Sequence, residues 1–154
     1  PIKLVAKKIT KKKIKEKIIV VNNFYKKYLG LKPRIGVIGL NPHCESVLKF
    51  NEDTKIIGPV IKSLKNRINV KGPFPADTIF LKNNRNKFDI IIGMYHDQVL
   101  TPIKTLFEYD AINITIGLPF IRVSPDHGPN EKMIGKNLSN PYSLIQAINF
   151  LDKN

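Results

Sequence analysis

Two strand-length apolar runs in this chain each end at a histidine, and together they leave few folds open to it. Arg34-Ile35-Gly36-Val37-Ile38-Gly39-Leu40 gives way to Asn41-Pro42-His43, and Asp89-Ile90-Ile91-Ile92-Gly93-Met94-Tyr95 gives way to His96-Asp97-Gln98. A run without polar alternation is what a strand needs when both faces of a parallel sheet are covered. In open α/β sheets, ligands bind beyond the carboxyl ends of the strands. Two of the three histidines therefore fall where such a sheet puts its chemistry.

The segments around these runs read as helices and further strands. After Thr10, a plausible N-cap, Ile14, Ile18, Val21, Tyr25 and Tyr28 recur on one helical face until Gly30 and Pro33 stop it, leaving most lysines of Lys11 to Lys17 on the solvated face. Within residues 52–65, Ile56, Ile57, Val60, Ile61 and Leu64 have helical spacing, although Gly58-Pro59 must kink or delay that helix. Ala111 to Leu118 reads as a third strand and Ile121 to Val123 as a short fourth. Asn140-Pro141 opens a terminal helix running to about Leu151. Strands alternating with helices predict one layered α/β domain over residues 1–154, with no internal repeat and no dividing linker.

At 154 residues and 42% hydrophobic content the chain can bury one sizeable core. Its longest apolar run falls far short of the roughly 18 to 20 residues that cross a bilayer, so no membrane association is expected. The single cysteine, Cys44, cannot form an internal disulfide and no secretory signal is visible, which fits a cytoplasmic location. A net charge of +14 raises the question of nucleic acid. The charge is written as 22 Lys and 4 Arg alongside many Ile and Asn, the composition of an AT-rich coding sequence, and no nucleic-acid motif accompanies it. No specific nucleic-acid partner is expected.

His43 and His96 are candidate metal ligands, because neutral imidazole is the commonest such donor and the neighbours Glu45 and Asp97 carry carboxylates that orient a ligand or join the shell. Their separation has no motif spacing, and the competing reading is two loop histidines bonded locally. Cys44 beside His43 is one Cys with one His, which is no zinc signature; it reads as a neighbour of the site.

Five segments carry more. Gly39-Leu40-Asn41-Pro42-His43, Gly72-Pro73-Phe74-Pro75-Ala76-Asp77-Thr78, Met94-Tyr95-His96-Asp97-Gln98 followed by Lys104, Asn113-Ile114-Thr115-Ile116-Gly117-Leu118-Pro119-Phe120-Ile121-Arg122, and Ser124-Pro125-Asp126-His127-Gly128 occur in that order. Together they resemble the 4-hydroxythreonine-4-phosphate dehydrogenase family of vitamin B6 synthesis, over the chain from Pro1 to the last helix.

The resemblance implies a three-layer α/β/α fold like that of isocitrate and isopropylmalate dehydrogenases, of which this chain would be the C-terminal portion of a two-domain subunit. It implies a homodimer whose metal site is shared between subunits, and oxidation of a phosphorylated secondary alcohol by NAD or NADP with a divalent metal: zinc, magnesium, cobalt or manganese. The product, a 3-oxo acid, would lose carbon dioxide to give the amino ketone phosphate from which the pyridoxine ring is built. His43 and His96 match two of the family's three metal histidines. The third belongs to a segment that leads, in the family, into the stretch matching Pro1, so the N-terminal half is expected to lie outside this chain and the chain alone to be inactive.

The family's substrate contacts carry over to Lys104, Asn113 and Arg122, whose types suit an anionic phosphorylated substrate. Without the resemblance, Lys104 reads as an exposed end-of-turn lysine and Arg122 as the partner of Asp110 or Asp126. Asp97 is expected to orient His96, and Asp77 to serve the same pocket, unless both are helix caps. His127 resembles a family motif on the nucleotide side of the cleft, its alternative being a turn residue tied to the backbone. Cys44-Glu45-Ser46-Val47 and Pro129-Asn130 depart from the usual family continuations, Ala-Gly-Glu and Thr-Ala. Two rival readings stay open: a sibling dehydrogenase of a phosphorylated four-carbon sugar acid, and a non-catalytic domain that binds polyanions through its lysine-rich helix.

Overall fold

The first apolar run forms β1 (Ile35–Ile38), with all four residues buried, at the centre of a three-stranded parallel sheet of order β2-β1-β3. The computed structural model in which this is seen describes residues 1–129 and 131–153. The second run forms β3 (Ile90–Ile92), in register with β1 through Ile35 opposite Ile90, Gly36 opposite Ile91 and Val37 opposite Ile92. Two compact units divide the chain, Pro1–Leu100 and Thr101–Asn154.

In the first unit, a short helix α1 (Val5–Lys8) precedes α2 (Lys11–Tyr28). Thr10 caps α2 as its sequence predicts: its side-chain oxygen accepts from the Lys13 N–H at 3.3 Å. Ile14 and Ile18 enter the core while Lys11, Lys12, Lys13, Lys15 and Lys17 remain exposed. The predicted face drifts beyond Ile18, where Asn22 and Phe24 are buried and Val21 and Tyr25 only half-buried.

The Gly58-Pro59 obstacle is met by a change of helix type. A π-helical turn (Asp53–Ile57) runs into α3 (Gly58–Leu64), with Pro59 in the first turn of α3, where a missing N–H leaves no bond unmade. Ile57, Val60, Ile61 and Leu64 then close the core over Ile14, Ile18, Ile35 and Val37. Each such side chain contributes roughly 1.5–3 kcal/mol by leaving water.

Strand β2 (Val70–Phe74) is absent from the sequence reading, because Gly72 and Pro73 argue against a strand interior. It pairs with β1 alone among the described strands, the edge position in which proline is tolerated. Gly72 is required there: it has φ of 139°, and a Cβ would stand 2.4 Å from the Val37 carbonyl oxygen. Two short helices, α4 (Ala76–Ile79) and α5 (Lys82–Arg85), lead to β3. At the amino ends of the strands Arg34 grips Asp89, with Nη2 to Oδ1 at 2.8 Å, Nε to Oδ2 at 3.0 Å and its own N–H to Oδ2 at 2.8 Å.

Helix α6 (His96–Phe107) carries Pro102, a helix breaker, in its interior, and only Val99, Ile103 and Phe107 at helical spacing point to it in the sequence. The boundary between the units falls within this helix. In the second unit the expected third and fourth strands are shorter or shifted: β4 (Ile112–Thr115) pairs antiparallel with β5 (Arg122–Pro125), and α7 (Tyr142–Lys153) follows. Asn140 caps α7, accepting from the Tyr142 N–H at 2.9 Å. Strands and helices of both units make the fold α/β, as expected. Among the described residues, no helix is long and apolar enough to cross a membrane.

Candidate functional site

His43 and His96 leave the carboxyl ends of β1 and β3, adjacent parallel strands, and both side chains are largely exposed. His43 lies in a short 3-10 turn, Pro42–Cys44, with φ of 55° at His43 and 61° at Cys44. Left-handed backbone at two successive non-glycine residues costs on the order of 1–3 kcal/mol each and survives only where neighbours dictate it.

Asp53 is that neighbour. Its carboxyl group is 1% exposed and accepts from the Leu40 N–H at 2.6 Å, the Asn41 N–H at 3.1 Å and the Asn41 side-chain amide at 2.9 Å. The Asn41 amide also donates to Glu52 at 3.1 Å. Gly39 makes room for this arrangement, since a Cβ there would stand 2.7 Å from both Asp53 Oδ1 and Cys44 Sγ. Asn51 in turn accepts from the Asp53 N–H at 2.8 Å, fixing the start of the π-helical turn. The motif reading missed Asp53. Its signal was an acid a short loop after Asn-Pro-His, indistinguishable in sequence from an ordinary first-turn acid.

His96 opens α6, and its Nδ1 lies 2.8 Å from Asp97 Oδ1. With the proton on Nδ1 shared with that carboxylate, Nε2 keeps its lone pair for a ligand, the arrangement that orients metal-binding histidines. Asp77 Oδ2 stands 3.9 Å from His43 Nδ1, the outer limit of an ion pair. Burial first, and then the charge of Asp53, push the Cys44 thiol up from its ordinary range, so at neutral pH it stays protonated. Cys44 thus stands beside His43 as a neutral thiol. Among the described residues no group of three or more His, Cys, Asp or Glu side chains converges as a metal shell. The donors present, two imidazoles each with a carboxylate nearby, fit part of one.

An apolar cavity of about 430 Å³ flanks the end of β3, walled by Met94, Tyr95, Ile9 and Ile14 with Lys13 and Lys17 at its rim. It holds neither histidine.

The second unit gathers the other expected residues. Asn113 opposes Ser124 and Thr115 opposes Arg122 across the β4–β5 pair, which puts Asn113 and Arg122 on one face of it. Arg122 Nη1 donates to Thr115 Oγ1 at 2.9 Å. Among the described residues it has no carboxylate partner, so the ion pair with Asp110 or Asp126 does not form. Asp126 instead takes Lys104: the ammonium lies 2.9 Å from its Oδ2 and donates to its backbone carbonyl. Lys104 is therefore a helix residue of α6 tied to the residue after β5, and not a loose turn lysine.

Ser143, 2% exposed and unforeseen, holds this unit together. Its hydroxyl accepts from the Asp126 N–H at 2.9 Å and donates to the Ala111 carbonyl, pinning the end of β5 and the approach to β4 against α7. His127 is exposed, with Nδ1 3.2 Å from the Gly128 carbonyl oxygen, the backbone-tied geometry of a turn. Of the Pro129-Asn130 departure, Asn130 lies outside the described residues.

Comparison with known proteins identifies relatives of the whole chain. The family profile described as pyridoxal phosphate biosynthetic protein PdxA matches residues 1–151. The 4-hydroxythreonine-4-phosphate dehydrogenase of Sulfurihydrogenibium sp. is 44% identical over 151 residues, 96% of this chain and 46% of that protein. A protein of Oceanobacillus iheyensis that carries the name of a D-threonate 4-phosphate dehydrogenase is 46% identical over 123 residues, 77% of this chain and 37% of its own length. The crystal structure of 4-hydroxythreonine-4-phosphate dehydrogenase from Klebsiella pneumoniae superposes with a TM-score of 0.81 at 32% identity, covering 97% of this chain and 46% of that one. The chain thus spans about half the length of the relatives it matches.

Proposed function

This chain belongs to the PdxA family of pyridoxal phosphate biosynthetic proteins, and we propose that it carries part of the active site of a metal-dependent, nicotinamide-linked dehydrogenase that oxidises 4-phosphohydroxy-L-threonine in vitamin B6 synthesis. The observation that carries this reading is that β1 and β3, paired in parallel, end at His43 and His96, with His96 Nδ1 held by Asp97 at 2.8 Å.

In this reading His43 and His96 are two of the protein donors to a divalent cation, zinc, magnesium, cobalt or manganese. When bound, that cation supplies a Lewis acid for the substrate alcohol while NAD or NADP accepts the hydride. Asp97 orients His96, and Asp53 holds the backbone from which His43 projects. Arg122, with a planar fork of donors and no carboxylate of its own among the described residues, binds the substrate phosphate, assisted by Asn113 on the same face of the β4–β5 pair. Lys104 adds a positive charge, part of which Asp126 already neutralises. His127 serves the nicotinamide side. The 3-oxo acid formed loses carbon dioxide to give 3-amino-2-oxopropyl phosphate.

The remaining metal histidine comes from sequence beyond this chain, in a homodimer whose site is shared between subunits. A reducing cytoplasm suits the single protonated thiol, Cys44.

A second reading has its own support: over the shorter stretch that it matches, the Oceanobacillus relative has an identity of 46%, beside 44% for the Sulfurihydrogenibium dehydrogenase. Phosphorylated threonate differs from phosphorylated hydroxythreonine in carrying a hydroxyl in place of the amine, so the two share the alcohol and phosphate that the residues named here would address. NADH formation from each substrate, in a protein extended to the relatives' full length, separates the readings. A kcat/KM at least tenfold higher for the amino acid supports the proposal, and the reverse ratio replaces it with the sugar-acid reading. Turnover of neither would leave salt-sensitive polyanion binding by the lysine face of α2 as the reading to pursue.

A further inference from the structure

The parallel ladder between β1 and β3 stops at Val37 opposite Ile92, two places short of the residues that precede the histidine loops. Continued in the same register, it would set Gly39 opposite Met94. The two are joined there by a side chain instead. Gln98, 8% exposed, donates from Nε2 to the Gly39 carbonyl oxygen at 2.7 Å and accepts at Oε1 from the Met94 N–H, also at 2.7 Å.

A carboxamide has the donor and acceptor of a peptide group in one rigid plane, so it can stand between a carbonyl and an N–H as an extra rung. Placed between the two strand ends, it satisfies both backbone groups where a direct rung is missing. Gly93 lets the helix carrying Gln98 approach: a Cβ there would stand 2.5 Å from Val99 Cγ1 and 3.4 Å from Gln98 Oε1. His43 follows Gly39 by four residues and His96 follows Met94 by two, so a spacing set at this rung is passed on to both histidine loops.

We infer that Gln98 is the positioning residue of the histidine pair: its amide sets the separation of the strand ends that carry His43 and His96. The inference rests on the reading of those histidines as metal donors. Gln98 touches neither imidazole in this account; it acts through Gly39 and Met94.

The test is a titration with Co²⁺ of the protein extended to the relatives' full length, followed by its visible absorption, in the parent and in Gln98→Glu, Gln98→Met, Val60→Ala, His43→Ala and His96→Ala forms, with urea unfolding of each. Gln98→Glu keeps the acceptor for Met94 but has no donor for Gly39, and Gln98→Met removes both. Val60 is a core residue that makes none of the bonds described at the strand ends, so its variant reports what lost stability alone does. The expected result is that Gln98→Met weakens Co²⁺ binding about 10–100-fold, Gln98→Glu weakens it less, and Val60→Ala leaves it within about twofold despite a lower urea midpoint. If Gln98→Met does not fold, Gln98→Glu carries the test, with a loss above about fivefold expected. Parent-like affinity in the folded Gln98 variants, with both histidines still required, overturns the role of Gln98. Parent-like affinity in His43→Ala and His96→Ala overturns the metal reading and takes this inference with it.

Discussion

Asp53 Oδ1 accepts the Leu40 N–H at 2.6 Å, across 13 residues of sequence, and so ties the first turn after the Asn-Pro-His loop back to the strand end from which that loop springs. Asp53→Asn leaves at most one carbonyl oxygen for donors that now share two. Leaving a buried N–H without an acceptor costs roughly 1–3 kcal/mol. A drop of that size in urea-unfolding free energy is expected, with faster hydrogen exchange at the Leu40 and Asn41 amides than in the core. Unchanged exchange at those two amides contradicts the account of the loop.

Gly39 tests the same packing from the other side. Because a Cβ would collide with Asp53 and Cys44, Gly39→Ala must displace one of them. The expected outcome is faster reaction of Cys44 with a neutral thiol reagent, as the loop loosens, and weakened Co²⁺ binding; a thiol as protected as in the parent counts against it.

Much of this was legible in the sequence where one physical signal dominated. The unbroken run 34–40 could only be a covered strand, and Thr10 and Asn140 marked helix starts through capping chemistry that needs no tertiary context. Strand β2 was hidden because Gly72 and Pro73 are there for an edge position and a close approach to Val37, facts that exist only once β1 is beside them. Helix α6 was hidden by Pro102. Asp53, Gln98 and Ser143 were invisible as organisers because each acts on backbone groups far away in sequence, and backbone groups leave no mark on composition or spacing.

The Arg34–Asp89 fork sets a pH dependence. Arg34 holds the Asp89 carboxyl below its ordinary value of 3.8, chiefly by its side-chain hydrogen bonds. A carboxylate whose folded-state pKa is lowered adds stability that is present above the ordinary value and is lost as pH falls through the lowered one. The parent should therefore exceed Asp89→Asn in urea midpoint by a constant margin between pH 7 and pH 5, and the margin should shrink below about pH 4. Both groups are well exposed, so the margin is small and salt reduces it. A margin that grows on acidification contradicts the assignment.

Ser143→Ala removes the acceptor for the Asp126 N–H and the donor to the Ala111 carbonyl at once. A loss of roughly 1–3 kcal/mol in unfolding free energy is expected, with Ser143→Thr milder if its methyl is accommodated. No change in Ser143→Ala would show that water replaces both bonds.

Arg122→Ala and Arg122→Lys address the phosphate site. In a protein of the relatives' full length, loss of a charge-assisted contact worth roughly 1.5–3 kcal/mol raises KM for the phosphorylated substrate about 10–100-fold. Lysine should recover only part of this, because it offers a point charge in place of a planar fork. Equal KM in the parent and both variants removes Arg122 from substrate binding.

The most direct test of the central claim is metal-dependent NADH formation from 4-phosphohydroxy-L-threonine by the full-length protein, with His43 and His96 replaced singly by alanine. The account predicts turnover in the parent that a chelator abolishes and added divalent metal restores, and a loss of at least a hundredfold in each histidine variant. Near-parent turnover in either variant would contradict it.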